Sequence, residues 1–153
     1  MRLCIAAVGR VKAGPLRALY DEYAGRLNWP LAVREVEVRK AALSVDERRR
    51  QEADLLRAAC PSGATLVVLD ERGESLTSAG FAERLGRWRD RGVGEVVFVI
   101  GGADGVDQTL RSAADLVLCL GTMTWPHQFV RAMLAEQLYR AQQILAGHPY
   151  HRS

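Results

Sequence analysis

The chain has 153 residues, 48% of them hydrophobic and 25% charged, with a formal net charge of +3. That length suits one domain spanning residues 1–153 that buries roughly 70% of its unfolded surface. No apolar run approaches the ~20 residues of a membrane span, and the first residues read as a β-strand rather than a signal peptide. A soluble cytoplasmic protein is the expectation.

In chain order, residues 3–9 form a buried strand that Gly9 closes. Leu16, Leu19, Tyr20, Tyr23 and Leu27 fall at helical spacing, predicting an amphipathic helix over 15–28. Val33, Val36 and Val38 alternate with charges, predicting a half-exposed strand nearer an edge. Ser44 and Glu47 have the form of a capping box opening a helix to about Cys60. Arg48, Arg49 and Arg50 lie in its first turns and read as a solvated face. Residues 65–70 form a near-continuous apolar strand of the kind buried in parallel sheets, ending in the turn residues 70–74. Thr77 or Ser78 caps the next helix, and residues 95–100 are another buried strand. Asp107 caps a short helix, residues 116–120 are the last strand, and Pro126 occupies the first position of a final helix to about Ala146. That helix has a broad apolar stripe, including Phe129, Val130, Met133, Leu134 and Leu138, which must cover the sheet or meet a second subunit. Alternating strands and helices imply an α/β fold with a mostly parallel sheet flanked by helices.

The three cysteines, Cys4, Cys60 and Cys119, are odd in number and far apart, arguing for free thiols in a reducing compartment. His148 and His151, with no nearby carboxylate or thiolate, make a poor metal site, and no metal is expected. The basic residues comprise 19 arginines and two lysines. Arginine's planar fork suits phosphate and base edges, although an arginine-rich genome explains the bias equally well.

Two strands, 95–100 and 116–120, end in glycine-bearing loops, which points to a ligand crevice at the carboxyl edge of the sheet. The run Gly101-Gly102-Ala103-Asp104-Gly105 is not GxGxxG and follows a late strand, so a dinucleotide-binding dehydrogenase is disfavoured. GxxxxGK[ST], GxSxG and HExxH are all missing, which removes the common NTPase, hydrolase and metalloprotease readings. Taken alone, His127 at the head of the last helix reads as a structural hydrogen-bonding residue.

Four stretches together carry a resemblance: residues 98–105 (FVIGGADG), 124–131 (TWPHQFVR), 135–141 (AEQLYRA) and 148–152 (HPYHR). With these motifs the chain, over its whole length, resembles the RlmH (YbeA) family, bacterial ribosomal RNA large-subunit methyltransferases of the SPOUT class. The resemblance implies a C-terminal trefoil knot, S-adenosylmethionine as cofactor and a homodimer. Composition and topology rules alone would have drawn an unknotted sheet. It also implies methylation of N3 of a pseudouridine in 23S rRNA, within the assembled ribosome or large subunit.

By the same resemblance the cofactor pocket comprises Leu69, then Gly101, Gly102 and Gly105, then Leu120, Gly121, Thr122, Met123, Thr124 and Trp125. The family's third loop often carries serine, alanine or leucine where this chain has Gly121, Thr122 and Met123, changes that backbone contacts to a ligand should survive. The catalytic candidates are His127, Tyr150 and His151 for moving the N3 proton or polarising a carbonyl, and Arg140 and Arg152 for holding charge or phosphate. For Arg140 the plain structural reading is an i,i+4 helix pair with Glu136. Arg84, Arg87 and Arg89 are candidates for phosphate contacts that weaken with salt. Two other functions stay open: the same fold and cofactor acting on another RNA, and a non-catalytic ribosome-binding assembly factor.

Overall fold

The computed structural model describes residues 1–39 and 43–151, the side chain of His151 excepted. Five strands, β1 (Arg2–Val8), β2 (Leu31–Val36), β3 (Thr65–Ser75), β4 (Glu95–Ile100) and β5 (Leu116–Cys119), form one sheet in the order β2-β1-β4-β3-β5. Every pairing is parallel. The helices are α1 (Pro15–Ala24), α2 (Val45–Ala59), α3 (Ser78–Asp90), α4 (Gln108–Ser112) and α5 (His127–Leu145), with a 3-10 turn at Pro149–His151.

Strand periodicity divides the core into two layers. Along β1 and β4, Leu3, Ile5, Val96, Phe98 and Ile100 face α3 and α5, where Phe81, Leu85, Leu134 and Leu138 meet them. Phe81 and Phe98 pack edge to face at 6.2 Å between centroids. The alternate residues Cys4, Ala6, Val97 and Val99 face Ala53 and Leu56 of α2 and Leu110 of α4. Each fully buried leucine or phenylalanine contributes about 1.5–3 kcal/mol of transfer free energy, so the inner strands β1, β4 and β3 anchor the fold. β2 lies at the sheet edge with its residues largely exposed, as its alternation predicts.

The caps follow the sequence closely. The Ser44 hydroxyl accepts from the Glu47 amide at 3.1 Å while the Glu47 carboxylate accepts from the Ser44 amide at 2.9 Å. Thr77, rather than Ser78, caps α3 through the Gly80 amide, and Asp107 caps α4. α5 ends in a Schellman turn: Gly147 has φ 69°, its amide reaches the Ile144 carbonyl, and the His148 amide reaches Gln143.

Three local expectations need correction. α1 stops at Ala24 instead of residue 28, because Gly25 ends the regular ladder. Residues 26 and 27 then continue as tighter turns, with Leu27 still packed on the core. β3 does not end at Asp70 but resumes after an irregularity between Leu69 and Glu74, pairing Glu74 with Leu118 and Ser75 with Cys119. Pro126 is the residue before α5 rather than its first, because ψ of 133° keeps it extended while its carbonyl accepts the first helical bonds. Of the two uses expected for the α5 stripe, the structure shows the first: Leu134, Leu138 and Ala141 join the core of the sheet, and the helix lies against α1 and α3.

One buried charge ties the layers together. Arg131 of α5 is 3% exposed. It donates to Glu35 of β2 at 2.6 Å and to the carbonyl of Gly9, just past β1, at 2.7 Å. The start of α5 is thereby clamped to the carboxyl ends of β1 and β2.

Candidate functional site

The carboxyl ends of β3, β4 and β5 open into a crevice of about 610 Å³. That volume lies within the range of small-molecule sites, about 300–1,000 Å³. Strand geometry explains its position, since parallel strands direct all their exit loops to one edge. The β3 exit contributes Leu69 and Asp70, the β4 exit contributes Gly101, Gly102 and Gly105, and the β5 exit contributes Leu120, Gly121, Met123, Thr124 and Trp125. His127, at the head of α5, completes the rim.

Each loop is held by a different device. The β4 loop is pinched by a bridge between Gly102 and Gly105, and Gly105 has φ 81°. A Cβ on Gly101 would fall 2.8 Å from Val106 Cγ2 and 3.0 Å from the Gly105 carbonyl, so the pinch requires glycine there. In the β5 loop, Gly121 packs so closely under Trp125 that an added Cβ would lie 3.3 Å from Nε1. Trp125 in turn packs on Phe129 at 5.8 Å. The Thr124 hydroxyl donates to Glu71 at 3.0 Å, joining the β5 loop to the β3 loop.

The β3 loop carries a charged network that sequence reasoning missed. The Asp70 carboxylate, 5% exposed, accepts from the Arg72 amide at 2.9 Å, from the Arg72 guanidinium at 3.1 Å and from Arg111 at 3.3 Å. Burial pushes this carboxyl up, but the Arg72 hydrogen bonds and the two guanidinium charges outweigh it and hold Asp70 below the usual carboxylate range. A depressed folded-state value makes its stabilising contribution complete above about pH 4 and lost as pH falls through that lower value. Glu35, lowered by Arg131 and the Val11 amide against the effect of burial, acts in the same direction. Asp70→Asn is therefore expected to flatten the acid branch of a plot of urea midpoint against pH. An unaltered acid slope would contradict this assignment. The signal for Asp70 was present, a carboxylate ending an apolar strand, but its partner Arg111 lies 41 positions away.

His127 sits beside Gly9, where an added Cβ would be 3.4 Å from Nε2. Burial first, and the Arg131 charge second, hold its pKa below the ordinary histidine value. The imidazole is thus neutral at pH 7, the form that can accept a proton.

Of the other expected catalytic residues, Arg140 and Tyr150 do not line this crevice. Arg140 pairs with Glu136 at 2.6 Å and stacks over Tyr150 at 5.0 Å. The Tyr150 hydroxyl donates to Glu136 at 3.2 Å, and its ring meets Tyr139 edge-on at 4.8 Å. Burial, then the neighbouring Tyr23 hydroxyl and the Glu136 charge, push the Tyr150 phenol well up, so it serves as a donor and not as a base. Glu136 borders a second groove of about 540 Å³ with Leu19, Tyr23 and Met133. Arg140 follows His127 by 13 positions on α5, which separates them by about 20 Å along the axis. Thr122 is exposed and stands outside the crevice lining. Arg152 and the side chain of His151 lie outside the described residues. Arg84, Arg87 and Arg89 pair with Glu74, Glu83 and Asp90 on the surface, weak pairs that a phosphate could displace.

Among the described residues no group of three or more metal-ligating side chains exists, and no helix is long and apolar enough to cross a membrane. Comparison with known proteins gives consistent similarities. The family described as "Predicted SPOUT methyltransferase" matches residues 1–151. The chain is 61% identical to "Ribosomal RNA large subunit methyltransferase H" of Rhodospirillum centenum over the full length of both. Among solved structures, a probable methylase family protein from Haemophilus influenzae aligns with TM-score 0.57 at 10% identity, over 99% of this chain and 70% of that one. The SpoU methyltransferase AviRb from Streptomyces viridochromogenes, in complex with the cofactor AdoMet, aligns with TM-score 0.51 at 15% identity, over 94% of this chain and 58% of that one.

Proposed function

The chain belongs to the SPOUT methyltransferase family, and on that premise we propose that it methylates N3 of a pseudouridine in 23S rRNA, using S-adenosylmethionine, as a cytoplasmic homodimer. The observation that carries the proposal is full-length identity of 61% to a protein named for methylation of large-subunit ribosomal RNA. Membership brings with it the trefoil knot and the bent cofactor pocket of the SPOUT fold.

The crevice fits such a ligand in volume and in chemistry. Gly101, Gly102 and Gly105 offer backbone with no side chain between it and the ligand, and residues 120–125 offer amides and carbonyls for an adenine edge. Leu69 and these two loops would hold the cofactor. When bound, S-adenosylmethionine supplies an electrophilic methyl on a sulfonium. The chain's task is then to align the nucleophile, which is chiefly a matter of positioning. N3 loses its proton as the new N–C bond forms and the S–C bond breaks, leaving a neutral thioether. Among the described residues, His127 at the crevice rim, held in its neutral form, would take that proton.

Arg140 stands about 20 Å along α5 from His127, and Tyr150, in the turn after that helix, packs against Arg140. That separation supports a homodimer, since a second copy can bring its own tail and Arg140 to a crevice that the described tail residues of one chain do not line. Charge on the RNA would then be met by arginines from both copies.

The direct test supplies tritium-labelled cofactor and either 70S ribosomes or large subunits from a strain lacking the modification. Label is expected at one nucleotide of 23S rRNA, and an absence of label in both substrates would overturn the proposal. Label at a different RNA would keep the chemistry and change the target. A chain lacking residues 148–153 is expected to bind cofactor with unchanged affinity by calorimetry while methyl transfer falls to background. Undiminished turnover would remove the tail from the reaction.

A further inference from the structure

Beneath the β4 loop lies a buried acid that the proposed reaction does not use. Glu52 of α2 is 7% exposed, and its Oε2 has no hydrogen-bond partner among the described residues. It sits directly against Gly102: a Cβ there would fall 3.0 Å from Oε1 and 3.2 Å from Oε2. Gly102 also lines the crevice, whereas Glu52 does not. The carboxylate therefore meets the ligand space by way of the Gly102 backbone.

A carboxylate taken out of water without a partner is costly, and native chains rarely keep one without a use. The charged groups acting on it are few. Asp104, on the same glycine loop, adds negative charge, and Arg48, one turn earlier on α2, offsets part of it. Among the described residues the two charges that act on Glu52 are therefore opposite in sign, and neither forms an ion pair with it. The ligand proposed above carries a positive sulfonium before methyl transfer and a neutral thioether after it.

We propose that Glu52 is a positioning residue whose buried carboxylate, acting through the backbone of Gly102, makes the crevice favour a cationic nucleoside over its neutral demethylated product. The inference rests on the S-adenosylmethionine reading of the crevice. Its use is turnover, because a crevice blind to charge would hold product as firmly as substrate. Burial and Asp104 push the Glu52 carboxyl up. Entry of a cation favours the ionised form, so within the pH range of that titration binding releases protons. Affinity for the cation accordingly rises with pH through the Glu52 titration.

Titration calorimetry on the full chain, with S-adenosylmethionine and S-adenosylhomocysteine in two buffers of different ionisation enthalpy, tests this. Glu52→Gln keeps the shape and removes the charge. It is expected to weaken S-adenosylmethionine by about fivefold or more, leave S-adenosylhomocysteine unchanged or tighter, and abolish proton release. Arg48→Gln, an exposed change that leaves the core intact, is expected to increase proton release on binding the sulfonium. An unaltered ratio of the two affinities in Glu52→Gln, or a parallel loss of both, overturns the inference and leaves Glu52 a structural support. Failure of the unaltered chain to bind either nucleoside would instead sink the cofactor reading itself.

Discussion

Arg131→Ala is expected to cost about 1.5–3 kcal/mol of stability, the range for hydrogen bonds made by a charged group, because the partner Glu35 is 30% exposed and keeps its water when the guanidinium is removed. A domain of this kind has only about 5–15 kcal/mol in total. The side chain is 4% exposed and faces Glu35 at 2.6 Å and the carbonyl oxygens of Gly9 and Val8 at 2.7 and 3.4 Å. Without it, both carbonyls lose a donor and Glu35 keeps only the Val11 amide. Arg131→Lys is expected to restore little, because one ammonium cannot reproduce the fork that spans β1 and β2. Urea denaturation measures both, and a loss below about 1 kcal/mol would reduce the clamp to an ordinary surface pair. The same residue tunes the site. Arg131→Met removes a charge that lowers the His127 pKa, so the imidazole should titrate at higher pH, as histidine NMR would report.

Gly73→Ala is the second large effect. A Cβ at this position would lie 2.6 Å from the Val117 oxygen, 2.7 Å from the Val117 carbon and 2.9 Å from the Leu118 carbon. All three atoms are backbone, so no side chain can swing aside. β5 must move away from β3 at the irregularity between Leu69 and Glu74. Overpacking of this kind costs about 1–3 kcal/mol, more where backbone must shift. Since β5 leads straight into residues 120–125, the crevice moves with it, and ligand affinity should fall together with stability. Gly94→Ala, with nothing within 4 Å of the new carbon, is the matched control and is expected to be near neutral. Equal denaturation midpoints for the two variants would show that β3 and β5 are less closely packed than described.

The arrangement also separates two kinds of expected site residue. Leu69, the β4 glycines and His127 converge on one crevice; the strand-end loops pointed to the glycines, and the resemblance to Leu69 and His127. Arg140 and Tyr150 belong to a cluster with Glu136, Tyr139 and Tyr23 instead. Their motif similarity carried no geometry, because Arg140 lies along the axis of the helix that His127 heads, and Tyr150 lies in the turn beyond its far end.

By itself the sequence determined the elements that depend on near neighbours. Continuous β-branched runs specified buried parallel strands, Ser44, Thr77 and Asp107 marked helix starts, and Gly147 marked a helix end. It also marked the crevice, since glycine loops after strands 95–100 and 116–120 must open at the same edge of a parallel sheet. Only the tertiary structure decided which strands adjoin, and with that the place of β5 beside β3, the contact of Gly73 with Val117, the clamp of Arg131 and the position of Glu52 beneath Gly102. Periodicity and capping are written within a few residues of one another. Approach between residues 50 or 100 positions apart depends on how every intervening loop is routed, and no local pattern records that route.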